Sequence, residues 1–67
     1  MKLCDFIKSE RQKRLMNQRE FGEFLDLTFV TICRIEKGKG KPSIKVLKKI
    51  SEKLNVSPEK LIKMLGE

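Results

Sequence analysis

Four helix-start signals fall within 67 residues, and they constrain this chain more than any other feature. Asn17-Gln18-Arg19-Glu20 has the pattern of a capping box. The Asn17 side chain can accept from the amide three residues on, while Glu20 reaches back to the cap amide. Thr28 precedes a second apolar run, and Ser43, just after Pro42, precedes a third. Ser57-Pro58-Glu59 combines an N-cap, a first-turn proline and a first-turn acid. In the opening segment Leu3, Phe6 and Ile7 recur at helical spacing. The caps therefore divide the chain into five short helices, over about 3–14, 18–25, 29–36, 44–54 and from Pro58 to just before Gly66.

One stretch argues against this division. LTFVTICRI, residues 27–35, is rich in β-branched and aromatic residues, which fit a pleated surface better than a helix. A half-buried strand should alternate apolar and polar residues. Here both faces of a strand would be mixed: Leu27, Phe29, Thr31, Cys33 and Ile35 on one, Thr28, Val30, Ile32 and Arg34 on the other. Wound as a helix, the stretch puts Ile32 and Ile35 on the same side as Leu25 and finishes in Glu36, Lys37 and a C′ glycine, Gly38. The helix is the better reading. Aspartate tolerates the left-handed conformation, so Asp26 can make the tight turn before it.

The same periodicity gives an expected core. Phe21, Phe24 and Leu25 form the apolar side of the second helix. Ile44, Leu47, Ile50 and Leu54 form that of the fourth, opposite Lys45, Lys48, Lys49 and Lys53. Leu61, Ile62 and Leu65 are expected to face inward on the fifth. The fold class that follows is all-α: one compact five-helix domain over residues 1–67, with no repeat, linker or second domain.

Most chemistry is missing from this composition. There is no histidine, so the commonest general base and metal ligand are both absent. Cys4 and Cys33 lack the partners of a zinc site or thiol nucleophile, and two cysteines do not make a disulfide framework. GKGKPS superficially suggests a phosphate loop, but Ile35 and Pro42 stand where that motif needs glycine and Ser/Thr. No enzyme activity, cofactor, metal or small-molecule substrate is expected. No apolar run reaches the ~18–20 residues of a membrane span. The start, MKLCDFIK, carries charges inside what would be the apolar part of a signal peptide, so a cytoplasmic protein is expected.

Charge points to a partner. The net charge is +7 and the pI near 9.7. Between Arg34 and Lys49 lie seven basic residues against one acid, Glu36, and a second group comprises Arg11, Lys13, Arg14 and Arg19. Clustering in two segments suits a surface for phosphates better than a uniformly solvated exterior.

The second helix, tight turn and third helix have the proportions of a helix-turn-helix. The run NQREFGEFLDLTFVTICRIEKGKGKPS resembles the Cro/CI-type (XRE) family of phage and bacterial repressors. Gln18 opens the second helix, Gly22 supplies the small residue, and Ile32, Arg34, Ile35, Glu36 and Gly38 match the family's Ile-x-Arg-Ile-Glu-x-Gly ending. Pro42-Ser43, Leu47, Ile50, Leu54 and Val56-Ser57 extend the match to nearly the whole chain. Three positions depart from the pattern: Asp26 replaces the usual turn glycine, and Phe29 and Val30 are apolar where polar readers are common.

The resemblance implies a lambda-repressor-like fold and a sequence-specific duplex-DNA-binding transcriptional regulator, a repressor acting as a homodimer. Helix three would lie in the major groove, with Thr28, Phe29, Val30, Cys33 and Arg34 at base edges. Arg34 suits guanine O6 and N7, and Phe29 and Val30 suit thymine methyls. Gln18, Arg11, Arg19, Lys37, Lys39 and Lys41 would hold phosphates, and Arg11 would also pair with Glu36 to tie helix three to helix one. Met64, Leu65 and their neighbours on helix five are the expected dimer surface. Two other functions fit the same residues: an antitoxin-like or anti-repressor module that binds protein through Phe29 and Val30, and a nonspecific architectural DNA binder working through charge.

Overall fold

The computed structural model describes residues 1–66. The chain forms α1 (Leu3–Lys13), α2 (Gln18–Phe24), α3 (Phe29–Glu36), α4 (Ile44–Leu54) and α5 (Pro58–Leu65), with no strand among the described residues. LTFVTICRI is thus a helix, begun at Phe29 behind Thr28. The first two helices end one residue earlier than expected, because Arg14 and Leu25 are C-caps.

Each start is closed by the side chain that marked it. Asn17 Oδ1 accepts from the Glu20 amide at 2.8 Å and Glu20 Oε1 from the Asn17 amide at 2.9 Å, completing the capping box. Thr28 Oγ1 accepts from the Thr31 amide at 3.2 Å, and Ser43 and Ser57 do the same for Val46 and Lys60 at 3.3 Å. These bonds satisfy amides that a helix start leaves without partners.

The helix ends share one device. After α1, α2 and α3 the chain takes a left-handed residue, namely Leu15 (φ 56°), Asp26 (φ 58°) and Gly38 (φ 69°). The next amide in each case bonds back to the third-last helical carbonyl: Met16 to Arg11, Leu27 to Gly22 and Lys39 to Arg34. This is the Schellman arrangement, and it turns the chain within two or three residues. Asn55 (φ 56°) turns α4 in a related way, with Val56 N–H donating to Ser51 O at 3.1 Å. Only Gly38 adopts the conformation without a side-chain penalty. Lys49 steadies the Asp26 turn, with Nζ 3.0 Å from the Asp26 carbonyl and 3.4 Å from its carboxylate.

Phe21, Ile7, Leu25, Ile32, Ile50 and Leu61 are fully buried at the centre, with Leu3, Ile35, Leu47, Leu54 and Met64 around them. Three expectations need correction. Ile44 is exposed, because it is the first residue of α4 and lies a turn short of the core, where half-buried Val46 packs instead. Ile62 is half exposed, because Leu61, Met64 and Leu65 form the inward stripe of α5 and Ile62 stands about 100° away around the helix. Met64 is therefore a core residue and not a surface available to a second copy.

Helices α2 and α3 cross at Gly22, which is buried. A Cβ there would lie 3.0 Å from Leu27 O and 3.4 Å from Ile32 Cγ1. The absent side chain is what lets the four-residue turn 25–28 close. This crossing aims α3, burying Ile32 and Ile35 and turning Phe29, Val30 and Arg34 outward.

Candidate nucleic-acid interface

The base of α3 is held by a chain of polar contacts. Arg11 grips Glu36 with two prongs, Nε to Oε2 at 2.7 Å and Nη2 to Oε1 at 3.2 Å, and its Nη1 donates to the Met16 carbonyl at 3.1 Å. The Glu36 side chain is only 5% exposed, so this is a largely desolvated pair. Glu36 raises the Arg11 pKa further through these hydrogen bonds. Gln18 Nε2 donates to Glu36 Oε1 at 3.3 Å, and the Cys33 thiol donates to Gln18 Oε1 at 3.2 Å. Helices α1, α2 and α3 are thus joined by one network, and among the described residues no buried side-chain N or O atom lacks a partner.

The outward face of α3 begins with Phe29, 38% exposed, and Val30, 56% exposed. The Arg19 guanidinium lies over the Phe29 ring, 4.8 Å from its centroid. Such a contact is favourable by about 0.5–1 kcal/mol at an exposed site. One turn on, exposed Arg34 shares a hollow with Thr31, Lys39, Gly40, Lys41 and Pro42, between α3 and the loop that follows it. The fold therefore gathers a helix face and a lysine loop, separated in sequence by the Gly38 turn, onto one surface. Its chemistry suits an anionic polymer with apolar and hydrogen-bonding edges.

The residues expected here occupy different positions. Val30, Arg34, Lys37, Lys39 and Lys41 are exposed. Thr28 is exposed, but its hydroxyl is engaged as the α3 cap and lies 2.9 Å from the Thr31 hydroxyl. Cys33 is half-buried against Gln18, and Gln18 in turn is half-buried against Glu36. Arg11 is half-buried, and three of its nitrogens bond within the fold, two to Glu36 and one to the Met16 carbonyl. Arg19 is exposed and stacked on Phe29. Thr31 was not expected at this surface, and Lys49, counted only as a basic residue, was not expected to hold the Asp26 turn. Thr31 sits three positions after Thr28 and three before Arg34, a helical spacing that could have revealed it. Lys49, which anchors the turn, carries no local signal.

Comparison with known proteins agrees with this geometry. A family model described as helix-turn-helix matches residues 7–61, which span α2, the turn, α3 and α4 as well as most of α1 and the first half of α5. No curated protein and no solved structure gives a significant match. The match covers well over half of the chain, and the lambda-repressor-like five-helix fold accompanies it. This chain belongs to the Cro/CI-type (XRE) family of helix-turn-helix DNA-binding proteins.

Proposed function

We propose that the protein is a sequence-specific transcriptional repressor that binds duplex DNA as a homodimer, acting in the cytoplasm on the nucleoid. The observation that carries this reading is the division of α3. Ile32 and Ile35 are buried, while Val30 and Arg34 face outward beside Lys39 and Lys41. With α3 in the major groove, Arg34 reaches guanine O6 and N7 and Val30 meets thymine methyls. Arg19, Lys37, Lys39 and Lys41 sit at phosphates, with Gln18 adding an amide. The helix-turn-helix match supports DNA as the partner.

The size of the domain supports the homodimer. The domain measures 26 × 22 × 20 Å, less than the ~34 Å of one helical turn of DNA, so one copy contacts too few base pairs for strong selectivity. With Met64 in the core, Ile62 is the apolar residue that α5 offers to a second copy.

The protein-binding alternative would use Phe29 and Val30 as an apolar patch. Arg19 over the Phe29 ring weighs against it, because it covers part of that patch with a charge. Duplex titration by fluorescence anisotropy tests the reading. Lys39→Ala should weaken all sequences alike and reduce the salt dependence by about one phosphate contact, while Arg34→Ala should relax preference at one base. Equal behaviour of the two variants would contradict it.

A further inference from the structure

We infer that α3 divides its outward residues into readers and holders. Val30 and Arg34 meet bases, whereas Phe29 and Cys33 position Arg19 and Gln18 for the DNA backbone. This deepens the DNA-binding reading and rests on it.

The two residues that open α2 are each tied to one residue of α3. Gln18 accepts the Cys33 thiol at 3.2 Å through Oε1 and donates through Nε2 to Glu36 at 3.3 Å. These two bonds orient the amide, since the oxygen must face the thiol and the nitrogen the carboxylate. One Nε2 hydrogen remains for a phosphate oxygen. Arg19 has its guanidinium 4.8 Å from the Phe29 ring centroid, so a flexible four-bond side chain is laid along a surface instead of sweeping through solvent. Holding each side chain in its bound orientation reduces the ordering cost on association.

The same contacts remove Phe29 and Cys33 from base reading. Cys33 is half-buried, and its single S–H is committed to Gln18. Phe29 has a ring face occupied by Arg19. Val30 and Arg34 have no such tie and are exposed on the same helix face. The recognition surface of one copy is therefore narrow, and much of its affinity is insensitive to sequence.

Double-mutant cycles on the full chain test this, using the preferred duplex from a randomised pool and its single-base variants. Cys33→Ala and Phe29→Leu should each weaken binding about fivefold on every duplex, leaving the order of base preferences unchanged. Cys33→Ser, which keeps a donor, should restore affinity. Gln18→Ala with Cys33→Ala should lose no more than Gln18→Ala alone, and Phe29→Leu should flatten the salt dependence toward that of Arg19→Ala. Circular dichroism melting keeps each comparison to folded protein; Phe29→Tyr, which retains a ring for Arg19, should bind like the parent, and Arg19→Ala removes the same contact if the leucine variant melts. Additive cycles, or a changed base preference in either holder variant, would overturn the division. Failure of the unmutated chain to bind any duplex would overturn the DNA-binding reading itself, and needs no variant to detect.

Discussion

Leu15 is 92% exposed and held at φ 56°, a conformation that costs a side-chain-bearing residue about 1–2 kcal/mol. Its side chain recovers little of this, because it faces solvent. The left-handed turn persists because Met16 N–H closes back on Arg11 O and the Arg11 guanidinium holds the Met16 carbonyl. Leu15→Asn should therefore raise stability by about 1 kcal/mol in thermal or urea unfolding, since asparagine adopts this conformation more readily. An unchanged or lower midpoint would contradict the account. Glu36 is the opposite case, a charge that cannot lose its partner. Glu36→Gln leaves the Arg11 guanidinium uncompensated in a mostly desolvated site and should cost about 3 kcal/mol.

Glu10 gives a pH dependence with a definite sign. A hydrogen bond from Lys13, opposed by partial burial and helped by one from Arg14, holds its carboxyl below the ordinary glutamate range. The unfolded chain therefore binds this proton at higher pH than the folded chain does. The stabilisation is complete above the ordinary glutamate pKa and disappears as pH falls through the depressed one. Glu10→Gln should flatten the decline of melting temperature in that acid window. A variant whose acid profile parallels the parent's would contradict this assignment.

At the scale of elements, the helices were legible because their caps are chemical. Asn17, Thr28, Ser43 and Ser57 each hold the amide expected of them, and the mixed faces of LTFVTICRI ruled out a strand. Inward faces were less legible at helix ends. Ile44 and Ile62 have the right spacing for a stripe but lie at positions the neighbouring helices do not reach. The site was partly legible: helix phase alone put Arg34 on the outward side of α3, and the run of basic residues after Gly38 marked the lysine loop. The Cys33–Gln18 and Arg19–Phe29 ties could not, because each joins two helices whose crossing angle is set by packing. That crossing depends on Gly22. Gly22→Ala forces a methyl against the Leu27 carbonyl, a backbone atom that cannot rotate away, and should destabilise by about 1–3 kcal/mol. It should also impair DNA binding in whatever fraction remains folded, which circular dichroism and anisotropy together would measure.

At the scale of the molecule, a net charge of +7 on a body no longer than 26 Å brings the protein to duplex DNA but does not choose a sequence. On the proposed reading, choice depends on the few side chains that α3 turns outward, doubled by a second copy. Affinity and selectivity should therefore respond differently to salt, with the lysine loop carrying most of the slope. The most direct measurement is selection of the full chain on a randomised duplex pool at low and physiological salt. A sequence-specific homodimer should enrich two symmetry-related half-sites whose centres lie about one helical turn apart. Binding without an enriched motif, or no binding even at low salt, would contradict it.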